Sequence, residues 1–202
     1  MNVIAVIAAL AAMATPRETV TEFLSMASAS RLSFNYTYST ENRTPGMSGS
    51  GSVTVQGSAF MMNGDGLEVI CDGTSRWTVD RSAGEAIVET VAEGEDFSAN
   101  PALFLSGSGE GFDLKEASSL KKGGKDVVKA VMEATVKSNV RKIVLYITPD
   151  LKLTEAEVTV SDGTLTRFVA EDFTSEPASE DLSVFAFDKA TLPPDTVITD
   201  LR

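Results

Sequence analysis

The chain contains no histidine. That single absence removes Ser-His-Asp and Cys-His catalysis, and it removes histidine-ligated zinc or iron. One cysteine, Cys71, excludes thiolate clusters and an intramolecular disulfide. It reads as a small buried hydrophobe near a strand end, because no histidine and few basic residues sit near it in sequence. No phosphate-cradling glycine loop occurs. Lys121-Lys122-Gly123-Gly124-Lys125 is glycine-rich and basic, but it lacks the required spacing and the following Ser or Thr, so it reads as a hairpin loop. Gly64-Asp65-Gly66 and Glu93-Gly94-Glu95-Asp96 lack the ligand spacing of a calcium loop and read as turns. With 29 acidic residues, carboxylate pairs suited to glycoside hydrolysis are easy to find by chance, and a solvated surface is the simpler account. No catalytic residue, metal site or cofactor is therefore assigned, and the chain is expected not to be an enzyme.

Positive charge is also scarce: 17 Lys and Arg stand against 29 Asp and Glu, for a net charge of -12. Such a chain repels phosphate backbones and anionic bilayers, so nucleic acid is excluded as an expected partner. The first fourteen residues carry no charged side chain, and Val3 to Ala12 are apolar throughout. Ala12-Met13-Ala14 has the small-x-small form of a signal-peptidase site. Residues 1–14 are expected to be a secretory signal, leaving 15–202 as one exported mature domain. A buried N-terminal strand or helix is the alternative. The run is shorter than the roughly 20 residues a membrane span needs.

What the chain does have is strand grammar. The length and an apolar fraction of 43% suit one domain with a real core. Thr15, Pro16 and Glu18 form a helix start with a capping box, and Val20, Phe23, Leu24 and Ala27 follow at helical spacing. A helix is expected over 16–28. From Leu32, apolar and polar residues alternate. Strands are expected near 32–38, 53–55, 59–63, 67–71, 76–80 and 86–91, with turn signals at Asp65-Gly66 and Asp72-Gly73. Asn100-Pro101 begins a short apolar helix over 98–106. Further strands are expected at 126–137, 141–148, 153–160 and 164–170. A polar acidic loop (174–181), a last main strand (184–187) and an extended tail (196–201) follow. About ten or eleven short strands and two helices predict a mainly β (α+β) fold. Its large antiparallel sheet curls into an unclosed barrel, covered by the N-terminal helix and the short lid helix.

The order of motifs carries a resemblance. Gly49-x-Gly51-x-Val53-x-Val55 leads to Phe60-Met61-Met62, then Val69-Ile70-Cys71-Asp72-Gly73, then Arg76-Trp77-x-Val79-Asp80. Asn100 to Leu105, Ile143 to Ile147, Asp162-Gly163, Phe185-x-Phe187 and Pro193-Pro194 follow in turn. This succession resembles the periplasmic outer-membrane lipoprotein carrier family (LolA-like). The resemblance implies an unclosed barrel whose cavity shelters acyl chains of a lipoprotein or another lipid, passed between membrane-bound donor and acceptor proteins by a monomeric carrier. Where the resemblance leads one to expect Arg-Pro before the apolar strand, with the arginine holding the lid, this chain has Gln56-Gly57-Ser58. The same fold also serves periplasmic sensors, so a protein-interaction module is the alternative function.

The expected lining of the hydrophobic cavity is Val20, Phe23, Leu24, Met62, Trp77, Leu103, Phe104 and Leu105. Ordinary core packing is the competing account of each strand residue. Leu103 to Leu105 are three adjacent apolar residues on one short helix, which cannot all face a single core.

Overall fold

The computed structural model describes residues 14–91, 111–136 and 139–202. Helix α1 runs over Pro16–Ser28, with Thr15 as N-cap and both halves of the capping box formed: Glu18 N donates to Thr15 Oγ1 (3.3 Å) and Thr15 N to Glu18 Oε2 (2.7 Å). Twelve strands follow: β1 (Ser30–Glu41), β2 (Ser48–Gln56), β3 (Ala59–Gly64), β4 (Leu67–Cys71), β5 (Ser75–Asp80), β6 (Glu85–Thr90), β7 (Phe112–Lys122), β8 (Lys125–Ala134), β9 (Val140–Ile147), β10 (Leu153–Val160), β11 (Leu165–Pro177) and β12 (Val197–Asp200). They form one sheet in the order β12-β6-β5-β4-β3-β2-β1-β11-β10-β9-β8-β7. Among the described residues, only β12 pairs in parallel, against β6. The two ends, β12 and β7, do not meet, so the expected unclosed sheet is the architecture observed.

The helix shows how strongly the sheet curls. It touches β1, β7 and β8. Between β1 and β7 lie five inter-strand steps, which would span about 24 Å in a flat sheet. A helix is only about 10 Å across. The sheet therefore wraps α1 in its concave side. Register shifts in the β1–β11, β9–β10 and β7–β8 pairs supply part of the bend.

One of these shifts also decides which way a core side chain points. Between Ser33 and Asn35 of β1, strand β11 carries one extra residue, and Asp172 takes the left-handed conformation with φ 55°. Ala170 and Phe173 are an odd number of residues apart, so strict alternation would place them on opposite faces. The extra residue turns Phe173 back to the concave side, where it stacks on Phe34 (5.7 Å) and meets Phe23 of α1 (6.2 Å).

Three sequence expectations need correction. Residues 174–177 continue β11 and are not a loop, because they pair with Ser30–Ser33. The expected strand at 184–187 is a 3-10 turn, Ser183–Phe185, followed by extended chain: Phe185 is completely buried, with the convex Arg31 guanidinium over its ring. Strand β7 had not been expected, since FDLKEASSLKK lacks clean alternation. It pairs with β8 through Gly123-Gly124, both at positive φ, the two-residue turn a hairpin favours. The expected lid helix at 98–106 lies outside the described residues. No helix among the described residues is long and apolar enough to cross a membrane.

Candidate functional site: the concave face

Alternation divides every strand between two faces. The cross-strand sets Leu32–Val55–Phe60–Cys71 and Phe34–Val53–Met62–Val69 mark the concave side. On the other half of the sheet, Val128, Ala130 and Met132 of β8 lie opposite Ile147, Leu145 and Ile143 of β9. These residues and α1 build one continuous apolar cluster. Helix residues Val20, Phe23 and Ala27 are completely buried in it. Cys71 is also fully buried there, at the end of β4, in keeping with its reading as a small hydrophobe.

The cluster is not closed everywhere. Leu24, Phe34, Tyr36, Met62, Val69 and Phe168 are only half-buried although they pack against it. Leu67 and Ile87, which share their strands' concave parity, remain about two-fifths exposed, at 41% and 38%. A finished core would bury such side chains; here they line the part of the concavity that α1 leaves uncovered.

Of the eight expected lining residues, the structure brings four together. Val20 and Phe23 are the buried underside of α1, and Leu24 and Met62 sit at the half-exposed border of the cluster. Trp77 is placed elsewhere. Cys71 faces Arg76 and Val69 faces Thr78 across β4–β5, so the even residues of β5 are concave and Trp77 is convex. It is buried with Val79, Ala86 and Val88 and stacks on Phe187 at 4.6 Å. Strand parity depends on pairing partners that the residue's own segment does not reveal, so the face of Trp77 is set by the fold. Leu103, Phe104 and Leu105 lie outside the described residues.

Sequence reasoning missed a group at the rim of the concavity. Tyr36, Tyr38 and Phe168 form a triad with ring centroids 6.1–6.5 Å apart. Three glycines beneath them make room. A Cβ on Gly51 would lie 2.6 Å from the Tyr36 hydroxyl, and one on Gly64 would lie 2.9 Å from it. A Cβ on Gly49 would collide with the Asp65 carboxylate. The Tyr38 hydroxyl donates to Asp65 Oδ2 at 2.7 Å. Burial first, and then the nearby Asp65 charge, push the Tyr36 phenol above its ordinary pKa. Tyr38 is raised chiefly by its hydrogen bond to Asp65. The signal was available in the alternation of Tyr36 and Tyr38 opposite Gly49-x-Gly51, which places small residues directly across from large ones.

The Gln56 departure also finds its place. Its parity is opposite to Val55, so it faces the convex side. There Gln56 Nε2 donates to Ser179 O (2.7 Å), and Ser179 N donates back to Gln56 Oε1 (3.1 Å). Arg31 joins the same amide oxygen and also donates to Asp181 O at 3.0 Å. In the described residues, position 56 secures the C-terminal segment.

The chain shares its fold with a solved bacterial protein. That protein, an uncharacterized conserved protein from Thermus thermophilus, aligns with a TM-score of 0.55 and 8% identity over 92% of this chain and 99% of its own. Fainter likenesses are a DUF1329 family protein from Desulfovibrio piger (TM-score 0.48, 9% identity, 88% and 98% covered) and a LolA superfamily protein from Nitrosomonas europaea (0.43, 10%, 83% and 97%). No protein-family profile and no curated protein matches the sequence. No group of His, Cys, Asp and Glu suited to a metal occurs among the described residues.

Proposed function

We propose that this protein is a periplasmic carrier that holds the acyl chains of a lipoprotein or another lipid against its concave face and delivers them toward the outer membrane. Residues 1–14 would be the signal that exports it. The observation that carries this reading is the set of half-buried apolar side chains bordering α1, typified by Leu24 and Met62. Burying a methylene is worth about 0.8 kcal/mol, so one long acyl chain carries on the order of 10 kcal/mol of transfer energy and cannot cross water unaided. A receptor for it needs soft apolar contacts and no directional chemistry, which suits Met62 and its aliphatic neighbours. The proposed lid residues Leu103 to Leu105 belong to the same hypothesis.

The test is non-denaturing mass spectrometry of the mature chain purified gently from its native compartment and then offered an acylated peptide. Added mass matching acyl lipid, lost on adding mild detergent, is the expected result. Met62→Glu should abolish uptake while leaving the far-ultraviolet spectrum unchanged. A clean apo mass with no uptake would overturn the carrier reading. It would favour the second one, a periplasmic protein-interaction module using the sheet edge at β12, where Val197 and Ile198 are exposed.

A further inference from the structure

Three aromatic rings outside the triad carry a basic group of the chain itself. Lys122 Nζ stands 3.6 Å from the Tyr146 ring centroid, Lys189 Nζ 5.0 Å from that of Trp77, and the Arg31 guanidinium 5.6 Å from that of Phe185. All three rings are on the convex side, by the parity of their strands or by their docking there. Among the described residues, no Lys or Arg stands over Tyr36, Tyr38 or Phe168, although these rings are half-exposed and lie beside a carboxylate. Of the basic residues nearest in sequence, Arg167 has the parity opposite to Phe168 and lies on the convex side. The charge of Arg43 acts on Asp162, and Arg167 pairs with Glu41, Glu155 and Glu157.

We propose that Tyr36, Tyr38, Phe168 and Asp65 form a subsite for the ammonium-bearing head of an acylated ligand whose chain lies on the apolar concave face. This deepens the carrier reading and rests on it. The faces of the rings attract a cation through their quadrupole, and Asp65 supplies the opposite charge. The Tyr38 hydroxyl fixes one carboxylate oxygen and leaves the other for the ligand. The open space above Gly49 is where that carboxylate lies. Its position at the rim allows the head to stay hydrated while the tail runs inward past Met62, which is opposite Val53 in the neighbouring strand.

The experiment compares decyltrimethylammonium, decanol and decyl sulfate as probes at physiological salt, measured by calorimetry on the mature chain. The ammonium probe should bind about fivefold more tightly than decanol, the size expected for a cation over partly solvated rings. Asp65→Asn and Tyr38→Leu should each erase most of that preference. Asn tolerates the left-handed backbone of residue 65 (φ 52°), so the first variant keeps the turn. Asp126→Asn, at the exposed start of β8, removes one charge far along the chain and should preserve the preference. Equal affinity for all three probes would overturn the subsite while leaving the apolar receptor intact. A preference that survives Asp65→Asn and Tyr38→Leu would also overturn it, assigning the effect to the net acidity of the chain. Failure of every probe to bind would overturn the subsite and the carrier reading together.

Discussion

The two faces of this one sheet bury their apolar side chains by different means. On the convex face the chain's own C-terminal segment covers part of it, while Val169 and Ile198 stay exposed. The segment after β11 docks across it, Phe185 is completely buried and Phe187 lies flat on Trp77. Farther along, Val127, Val144 and Tyr146 form a buried cluster flanked by Leu120 and Val131. Lys122 covers the Tyr146 ring and pairs with Glu155 at 2.9 Å. Burial opposes its charge, but the Glu155 hydrogen bond and charge outweigh that and hold the ammonium above its ordinary pKa. On the concave face α1 closes only part of the surface, and the border residues stay half-exposed. Among the described residues, the convex face is covered in part by the chain's own C-terminal segment and the concave face in part by α1.

The largest break in this comparison should come from Phe23. It is the largest fully buried side chain of α1 and contacts Phe173. Phe23→Ala is expected to cost about 3–5 kcal/mol in chemical denaturation, the usual penalty for emptying a buried aromatic site. A loss below that of a surface substitution would mean that α1 is not fastened through this ring.

Phe187→Ala tests the opposite face. The ring is half-buried against Trp77, so the expected cost is smaller, about 2 kcal/mol from lost apolar area and ring stacking. The C-terminal segment should become more susceptible to proteolysis, yet uptake of an acylated peptide by the folded protein should not change. If Phe187→Ala weakens uptake as strongly as Met62→Glu does, the two faces are not functionally separate.

How much of this was legible in the sequence follows from what each feature depends on. Helix α1 was readable to the residue because its signals are local: Thr15, Pro16, Glu18 and a short apolar period. Strands β4 and β10 were readable for the same reason, as short apolar-rich runs set between turn residues. Strand β7 was not, since its apolar residues are few and a register shift between Leu114 and Glu116 breaks their period. The face of Trp77 depends on Thr78 lying opposite Val69, a pairing that no pattern within residues 75–80 encodes. The aromatic rim joins residues 36, 38, 65 and 168, two strands and a turn brought together only by the fold. Phe173 needed the bulge at Asp172, and an extra residue of that kind leaves no mark in the alternation until the partner strand is known.

The smallest predicted effect concerns the start of the concave face's own cover. The hydrogen bond from the Thr15 backbone to Glu18, helped by the Thr15 hydroxyl, holds the Glu18 carboxyl below its ordinary value of 4.5. A carboxylate with a depressed folded-state pKa contributes stability that is fully present above its unfolded value and is lost as pH falls through the folded one. Glu18→Gln keeps a hydrogen-bonding side chain at the third helical position but removes the charge that favours a helix N-terminus. At neutral pH the variant should therefore melt slightly below the parent. The gap should begin to narrow as pH drops below 4.5 and should close once Glu18 is protonated in both states. Asp181 on the convex side is also depressed, mainly by the Ser183 backbone N–H, so both proteins should lose stability in acid through that group. The difference between them isolates the helix start. A gap that stays constant from neutral pH into acid would show that the Glu18 charge contributes nothing to α1, leaving the Thr15 cap and the buried face of Val20 and Phe23 to hold the helix in the sheet.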